Sequence, residues 1–168
     1  MLKQNIEKYY SKGIIIDTNL LILLLVGIYD INFINKFKVA QKYFKEDYNI
    51  LYNFIHNFNT IFITPHILTE LSNLSMKMND NEFKKYITYF IEILKESKEI
   101  NIEKNNILSH KSITKLGVTD IGIMIASENN GYLFITDDFP LANISESKGL
   151  PVINFNHLRE YNWFHWKI

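Results

Sequence analysis

The stretch Gly13-Ile14-Ile15-Ile16-Asp17-Thr18-Asn19-Leu20-Leu21-Ile22-Leu23-Leu24-Leu25-Val26 decides the fold. Three consecutive isoleucines are β-branched and leave no polar face, which suits a short strand covered on both sides of a parallel sheet. Asp17-Thr18-Asn19 interrupts the apolar run with residues that favour helix starts, and Thr18 or Asn19 can cap a helix running through Leu25. The same stretch could be mistaken for a signal anchor. Its apolar halves are each well short of the roughly 18 residues a span requires, a carboxylate sits inside it, and no small-residue cleavage site follows, so no membrane segment is expected.

Working outward, the pattern of a β-branched or aromatic run followed by an amphipathic stretch recurs, which argues for parallel strands joined by crossover helices. Residues 60–64, Thr-Ile-Phe-Ile-Thr, form a second strand, and Pro65 suits a first helical position with Thr64 as its cap. Phe83, Tyr86, Ile87, Phe90 and Leu94 mark another helix. Thr119 can cap a helix that stops at Asn130-Gly131. A strand over 132–136, a short helix over 141–147, a stop at Gly149 and a last strand over 151–154 complete the series. Between the first helix and the second strand lies a long segment, about 29–59. There Ile34, Phe37, Ala40 and Phe44, then Leu51, Phe54, Ile55 and Phe58, fall at helical spacing and predict two helices with a break near 46–48.

Composition narrows the function. The 168 residues suit one domain, 1–168, and no repeat, low-complexity linker or glycine-proline hinge divides them. Eighteen basic residues balance eighteen acidic ones, so no global field draws in a polyanion and any nucleic-acid contact must be local. With no cysteine, disulfides, thiolate zinc sites and a cysteine nucleophile are excluded, and a reducing, cytoplasmic setting is compatible. No glycine-rich phosphate loop, Walker-type lysine motif, Gly-x-Ser-x-Gly elbow or His-Glu-x-x-His is present.

Chemistry is carried by acids. Asp17, Asp120 and Asp137-Asp138 all fall at strand ends or helix starts, and Glu70 lies on the helix after the second strand. Functional groups of open parallel sheets collect beyond the carboxyl ends of the strands. Each acid alone reads as a cap, a turn former or a surface glutamate. Together they make a carboxylate edge that suits the hard cations magnesium or manganese, which in turn suit phosphodiester hydrolysis by an activated water.

Four segments carry a resemblance to the PIN-domain nucleases. They are Ile14-Ile15-Ile16-Asp17-Thr18-Asn19, Thr64-Pro65-His66-Ile67-Leu68-Thr69-Glu70-Leu71, Thr119-Asp120-Ile121-Gly122-Ile123-Met124-Ile125-Ala126 and Leu133-Phe134-Ile135-Thr136-Asp137-Asp138-Phe139, in matching order and spacing from about Gly13 to Asn154. The resemblance implies a three-layer α/β/α domain with a central, mostly parallel sheet, here carrying a helical insertion at about 29–59. It implies a Mg2+- or Mn2+-dependent endoribonuclease acting on single-stranded RNA. Asp17, Glu70, Asp120 and Asp138 take the family's metal-binding and catalytic positions, Asp137 is an additional ligand or a neighbour that tunes charge, and Asn19 and Thr136 orient the cluster. A homodimer and an inhibitory protein partner are compatible with the resemblance. The long insertion departs from the compact bacterial toxin members, so a toxin role and a matching antitoxin do not follow; a helical lid, a substrate wall or a dimer surface is the expected use of the insertion.

Other residues read more plainly. His66, four residues before Glu70, is expected to be buried or capping rather than a ligand. His110, Lys111 and Lys115 precede the Asp120 helix and are candidates for RNA phosphate contact, as are Lys36, Lys38, Lys84 and Lys85, each with a solvated surface as the simpler reading. The aromatic tail Tyr161-Asn162-Trp163-Phe164-His165-Trp166 is expected to pack rather than to stack on bases. Two other functions compete with the nuclease: a PIN-like binding or assembly module that does not cut, and a magnesium-dependent phosphotransfer enzyme. The second is weakened because Asp17-Thr18-Asn19 lacks an aspartate two residues after Asp17.

Overall fold

The computed structural model describes residues 2–165 and begins with helix α1 (Leu2–Tyr10) and the tri-isoleucine strand β1 (Ile14–Ile16). All three isoleucines are fully buried, as a strand without a polar face requires. Gly13 turns the chain into β1 at φ +101°, where a side chain would also meet the Thr60 carbonyl oxygen at 2.6 Å. Strands β2 (Ile61–Ile63), β3 (Lys98–Glu99), β4 (Leu133–Thr136) and β5 (Val152–Asn154) join β1 in an all-parallel sheet of order β3-β2-β1-β4-β5. The chain winds outward from β1 through β2 to β3, then returns to lay down β4 and β5 on the other side. That reversal opens a crevice beyond the carboxyl ends of β1 and β4, where an open α/β sheet holds its functional groups.

Helices sandwich the sheet in a three-layer α/β/α arrangement: α2 (Thr18–Tyr29), α3 (Lys45–Ile55), α4 (Pro65–Ser75), α5 (Asp80–Lys95), α6 (Lys104–Leu108), α7 (Val118–Asn130), α8 (Phe139–Ser147) and α9 (Phe155–His165). One continuous core runs from Ile6 to Phe155. Thr64 caps α4 as expected, accepting from the Ile67 amide at 3.3 Å with Pro65 in the first turn. Gly131 ends α7 in the left-handed region, at φ +65°. Among the described residues no helix is long and apolar enough to cross a membrane.

Helix α2 extends past Leu25 to Tyr29, and Asp17 rather than Thr18 or Asn19 stands at its cap position. It is apolar all round, with every residue from Leu20 to Gly27 buried, so it needs cover on every side. That cover comes from α4, α5 and the insertion. Gly27 lets the Tyr48 ring of α3 lie directly on α2; a Cβ at position 27 would stand 2.1 Å from that ring.

Within the insertion the expected pair of helices is replaced by one. Asp30 accepts from the Asn32 amide at 2.8 Å and caps a 3₁₀ turn over Ile31–Phe33. Linked turns continue through residues 34–44, with Ala40 bonded to the Phe37 carbonyl and Tyr43 to that of Ala40. The residues buried along this path are Ile34, Phe37, Ala40 and Tyr43, a period of three per turn instead of 3.6. It turns Tyr43 inward and leaves Phe44 outside. Helix α3 starts at Lys45, just before the expected break at 46–48, and runs through it, with the Asp47 carboxylate taking the Phe44 amide at 2.8 Å at its first turn. The edge strand β3 was absent from the sequence reading: two exposed polar residues show no alternation.

Gly27→Ala should therefore destabilise the protein by about 1–3 kcal/mol through overpacking, read as a lower urea midpoint. Adding Tyr48→Ala should recover part of that loss; equal midpoints for wild type and Gly27→Ala would show that the α2–α3 contact is not tight.

Candidate functional site

Asp17 follows β1 and Thr136 ends β4, so adjacent parallel strands deliver both to the crevice. The Asp17 amide donates to the Ile135 carbonyl at 3.0 Å, and the Thr136 hydroxyl donates to Asp17 Oδ2 at 2.6 Å. The same hydroxyl accepts from the Asp138 amide at 3.0 Å. A fully buried threonine thus ties together the junctions after β1 and β4. Burial raises the pKa of the Asp17 carboxyl to about 7, opposed by the Thr136 and Thr18 hydrogen bonds and reinforced by the charges of Asp120 and Asp137.

The other acids are held one by one. Asp120, in the first turn of α7, accepts from the Gly117 amide at 3.3 Å. Burial lifts its pKa to about 6 against that bond, and the charges of Asp138 and Glu70 add to the rise. Glu70 is exposed on α4, where the Thr18 hydroxyl donates to its Oε2 at 3.2 Å. Asp138 caps α8 by accepting from the Leu141 amide at 2.7 Å. The five carboxylates are therefore linked electrically: Asp17 with Asp120 and Asp137, Asp120 with Asp138 and Glu70.

Asp137 has the most elaborate surroundings. Its Oδ2 accepts from the Tyr43 hydroxyl at 2.7 Å and from Lys42 Nζ at 2.8 Å, both supplied by the insertion. Its side chain is 9% exposed and its Oδ1 is buried without a partner. The Asp137 carbonyl accepts from Asn156 Nδ2 at 3.1 Å. Asn156 in turn accepts from Arg159 at 3.3 Å, and the Arg159 guanidinium forks onto both Asp47 oxygens at 2.7 and 2.9 Å. Insertion and C-terminal helix thereby close on the Asp137 side of the crevice. Burial, then the Asp137 charge, hold the Tyr43 hydroxyl protonated well above its ordinary range.

Tyr43, Lys42 and Thr18 are the site contacts that sequence reading missed. Asn19 is half-buried in the first turn of α2, and the side chains that donate to Glu70 and Asp17 are those of Thr18 and Thr136. His66 is half-buried with its Nδ1 enclosed and unpartnered, close to Gly122, where a Cβ would stand 3.4 Å away. That approach brings α4, bearing Glu70, against α7, bearing Asp120. His110 Nε2 lies 3.0 Å from Lys148 Nζ, and burial, then the Lys148 charge, lower the His110 pKa. Lys111 and Lys115 are exposed on the approach to α7. Tyr161 is exposed; the side chains of residues 162–165, and Trp166 altogether, lie outside the described residues.

Among the described residues, no three acidic or histidine side chains are gathered closely enough to hold a metal ion. The donor set nonetheless fits magnesium or manganese in kind, because it is all oxygen and includes the orphaned, buried Asp137 Oδ1. No family model matches the chain, and no curated protein matches it.

The Asp17 pKa has a signed consequence for stability. Below its ordinary value of 3.8 the carboxyl is protonated in folded and unfolded chains alike. As pH rises from there to about 7, the unfolded chain loses the proton first, so Asp17 makes the fold progressively less stable and the penalty persists above about 7. Asp17→Asn should raise stability at about pH 8 by a few kcal/mol, at roughly 1.4 kcal/mol per pKa unit, and by almost nothing near pH 4. Urea melts across this range check it; a gain that is absent at high pH would contradict the burial of charge at Asp17.

Proposed function

We propose that this chain is a Mg2+- or Mn2+-dependent ribonuclease of the PIN-domain kind, cutting RNA in the crevice beyond β1 and β4. The observation that carries the reading is geometric: the adjacent strands β1 and β4 deliver Asp17 and Asp137-Asp138 to one crevice, Thr136 ties the two junctions together, and α7 and α4 bring Asp120 and Glu70 to the same edge, where burial and neighbouring charge raise the pKa of Asp17 and Asp120. Such a concentration of negative charge disfavours the bare folded state and favours a divalent cation. It fits functional sites, where destabilising charge is kept for chemistry.

Asp17, Glu70, Asp120 and Asp138, which do not gather around one point among the described residues, would have to draw together to hold the ion, with Asp137 Oδ1 as a further donor. When bound, it would neutralise the carboxylates, bind a phosphate oxygen and lower the pKa of a water that attacks phosphorus without a covalent enzyme intermediate. The protein's own part is positioning. Thr136 fixes the orientation of Asp17, Thr18 restrains Glu70, and the Leu141 amide fixes one oxygen of Asp138. Tyr43 anchors Asp137 from a buried position, while Lys42, 51% exposed, offers its ammonium group to a phosphate at the rim. RNA, single-stranded, as the substrate rests on the motif resemblance.

The Lys42–Asp137 ion pair favours a second reading, a PIN-like binding module that does not cut, since it already supplies one internal countercharge. Labelled single-stranded RNA separates the two. Wild type with Mg2+ or Mn2+ should cleave it, EDTA should stop cleavage, and Asp17→Asn or Asp120→Asn should lower the rate about a hundredfold or more. Cleavage that survives both EDTA and Asp17→Asn would overturn the metal mechanism. Absence of cleavage together with no millimolar binding of either ion in calorimetry would overturn the nuclease and favour the binding module.

A further inference from the structure

A cavity of about 610 Å³ opens beside the carboxyl end of α2. Asp17 precedes the other end of this 12-residue helix, about 18 Å away at 1.5 Å per residue, so the cavity is separate from the carboxylate crevice. Its walls come from residues 29–38, from the loop 77–79 and from the first turns of α5. Lys36, Lys38, Lys77 and Lys85 line it against only two carboxylates, Asp30 and Glu82.

Both carboxylates are already engaged. Asp30 accepts from the Asn32 amide, and Glu82 accepts from the Tyr29 hydroxyl while Lys85 Nζ stands 3.7 Å away. Lys36, Lys38 and Lys77 are exposed and form no ion pair among the described residues. Beside them is a ladder of rings: Phe33 stacks on Phe37 with centroids 6.0 Å apart and planes 9° apart, and Tyr29 meets Phe33 edge-on at 5.8 Å. Tyr29 and Phe33 are only half-buried, so part of each ring is open to the cavity. The volume lies within the roughly 300–1,000 Å³ usual for small-molecule sites.

Uncompensated ammonium groups beside open aromatic rings match the two halves of a nucleotide, phosphate and base. We propose that this cavity binds a nucleotide, either free or as one unit of an RNA chain, with phosphate on Lys36, Lys38 and Lys77 and the base against Tyr29 and Phe33. The site does not depend on metal chemistry in the crevice.

The test uses the full chain in low salt with EDTA throughout, which removes any metal-bridged binding at the acids. Fluorescently labelled ADP and a labelled eight-nucleotide oligouridylate are titrated separately. Wild type should bind at least one of them, and Lys36→Gln/Lys77→Gln should weaken that binding at least tenfold, while Lys12→Gln/Lys98→Gln, at exposed lysines that do not line the cavity, leaves it unchanged. Lys38→Gln/Lys85→Gln provides a second pair of exposed substitutions, with the thermal melt of each variant confirming its fold. Binding of ADP supports the free nucleotide as occupant; lysine-dependent binding of the oligonucleotide alone supports the RNA chain. Failure of wild type to bind either probe below a millimolar, or binding that both lysine pairs leave intact, would overturn the proposal. Displacement of the probe by inorganic phosphate as readily as by unlabelled ADP would overturn the assignment to a nucleotide.

Discussion

The Thr136 hydroxyl donates to the Asp17 carboxylate across the gap between β4 and β1, at 2.6 Å and out of contact with solvent. A carboxylate sealed between parallel strands is costly unless something favours its charge. One hydroxyl and the Thr18 hydrogen bond offset only part of that cost, since the pKa still reaches about 7. The strand order makes this placement unavoidable: β1 and β4 are neighbours at the point where the winding reverses, so whatever follows them meets in the crevice. Asp120 and Glu70 then approach because α7 and α4 pack closely where Gly122 faces His66.

Much of this arrangement was legible in sequence for local reasons. Three isoleucines before Asp17 have no polar face to give solvent, Thr64-Pro65 is a helix start with two independent signals, and Gly131 after Asn130 is a helix stop. Those features fix β1, α4 and α7 and hence which acids lie at strand or helix ends. What escaped was non-local or too short. Strand β3 has two polar residues and exists only because β2 offers a partner. The turns over 34–44 follow a three-residue period that resembles a helix over a short window, so Phe44 was expected inside where Tyr43 is found. Contacts such as Lys42 with Asp137, 95 residues apart, leave no trace in any local pattern.

The insertion has two physical roles in the structure. It covers α2, whose all-apolar surface would otherwise face water, through the Gly27–Tyr48 contact. It also walls the crevice: the Arg159 fork onto Asp47 holds α9 against α3, and Asn156 passes that restraint to the Asp137 backbone. Because the same segment lines the lysine-bearing cavity at the other end of α2, one stretch of chain contributes to both places.

Each carboxylate of the crevice is tied to its own donor, and their convergence on one ion is the central claim. Anomalous diffraction from crystals soaked in Mn2+ tests it directly. The account predicts a manganese peak in the crevice, at about 2.0–2.3 Å from oxygens of Asp17 and of at least one of Asp120, Asp137 or Asp138. Saturating manganese with no peak there, and with the Tyr43 and Lys42 contacts to Asp137 unchanged, would contradict it.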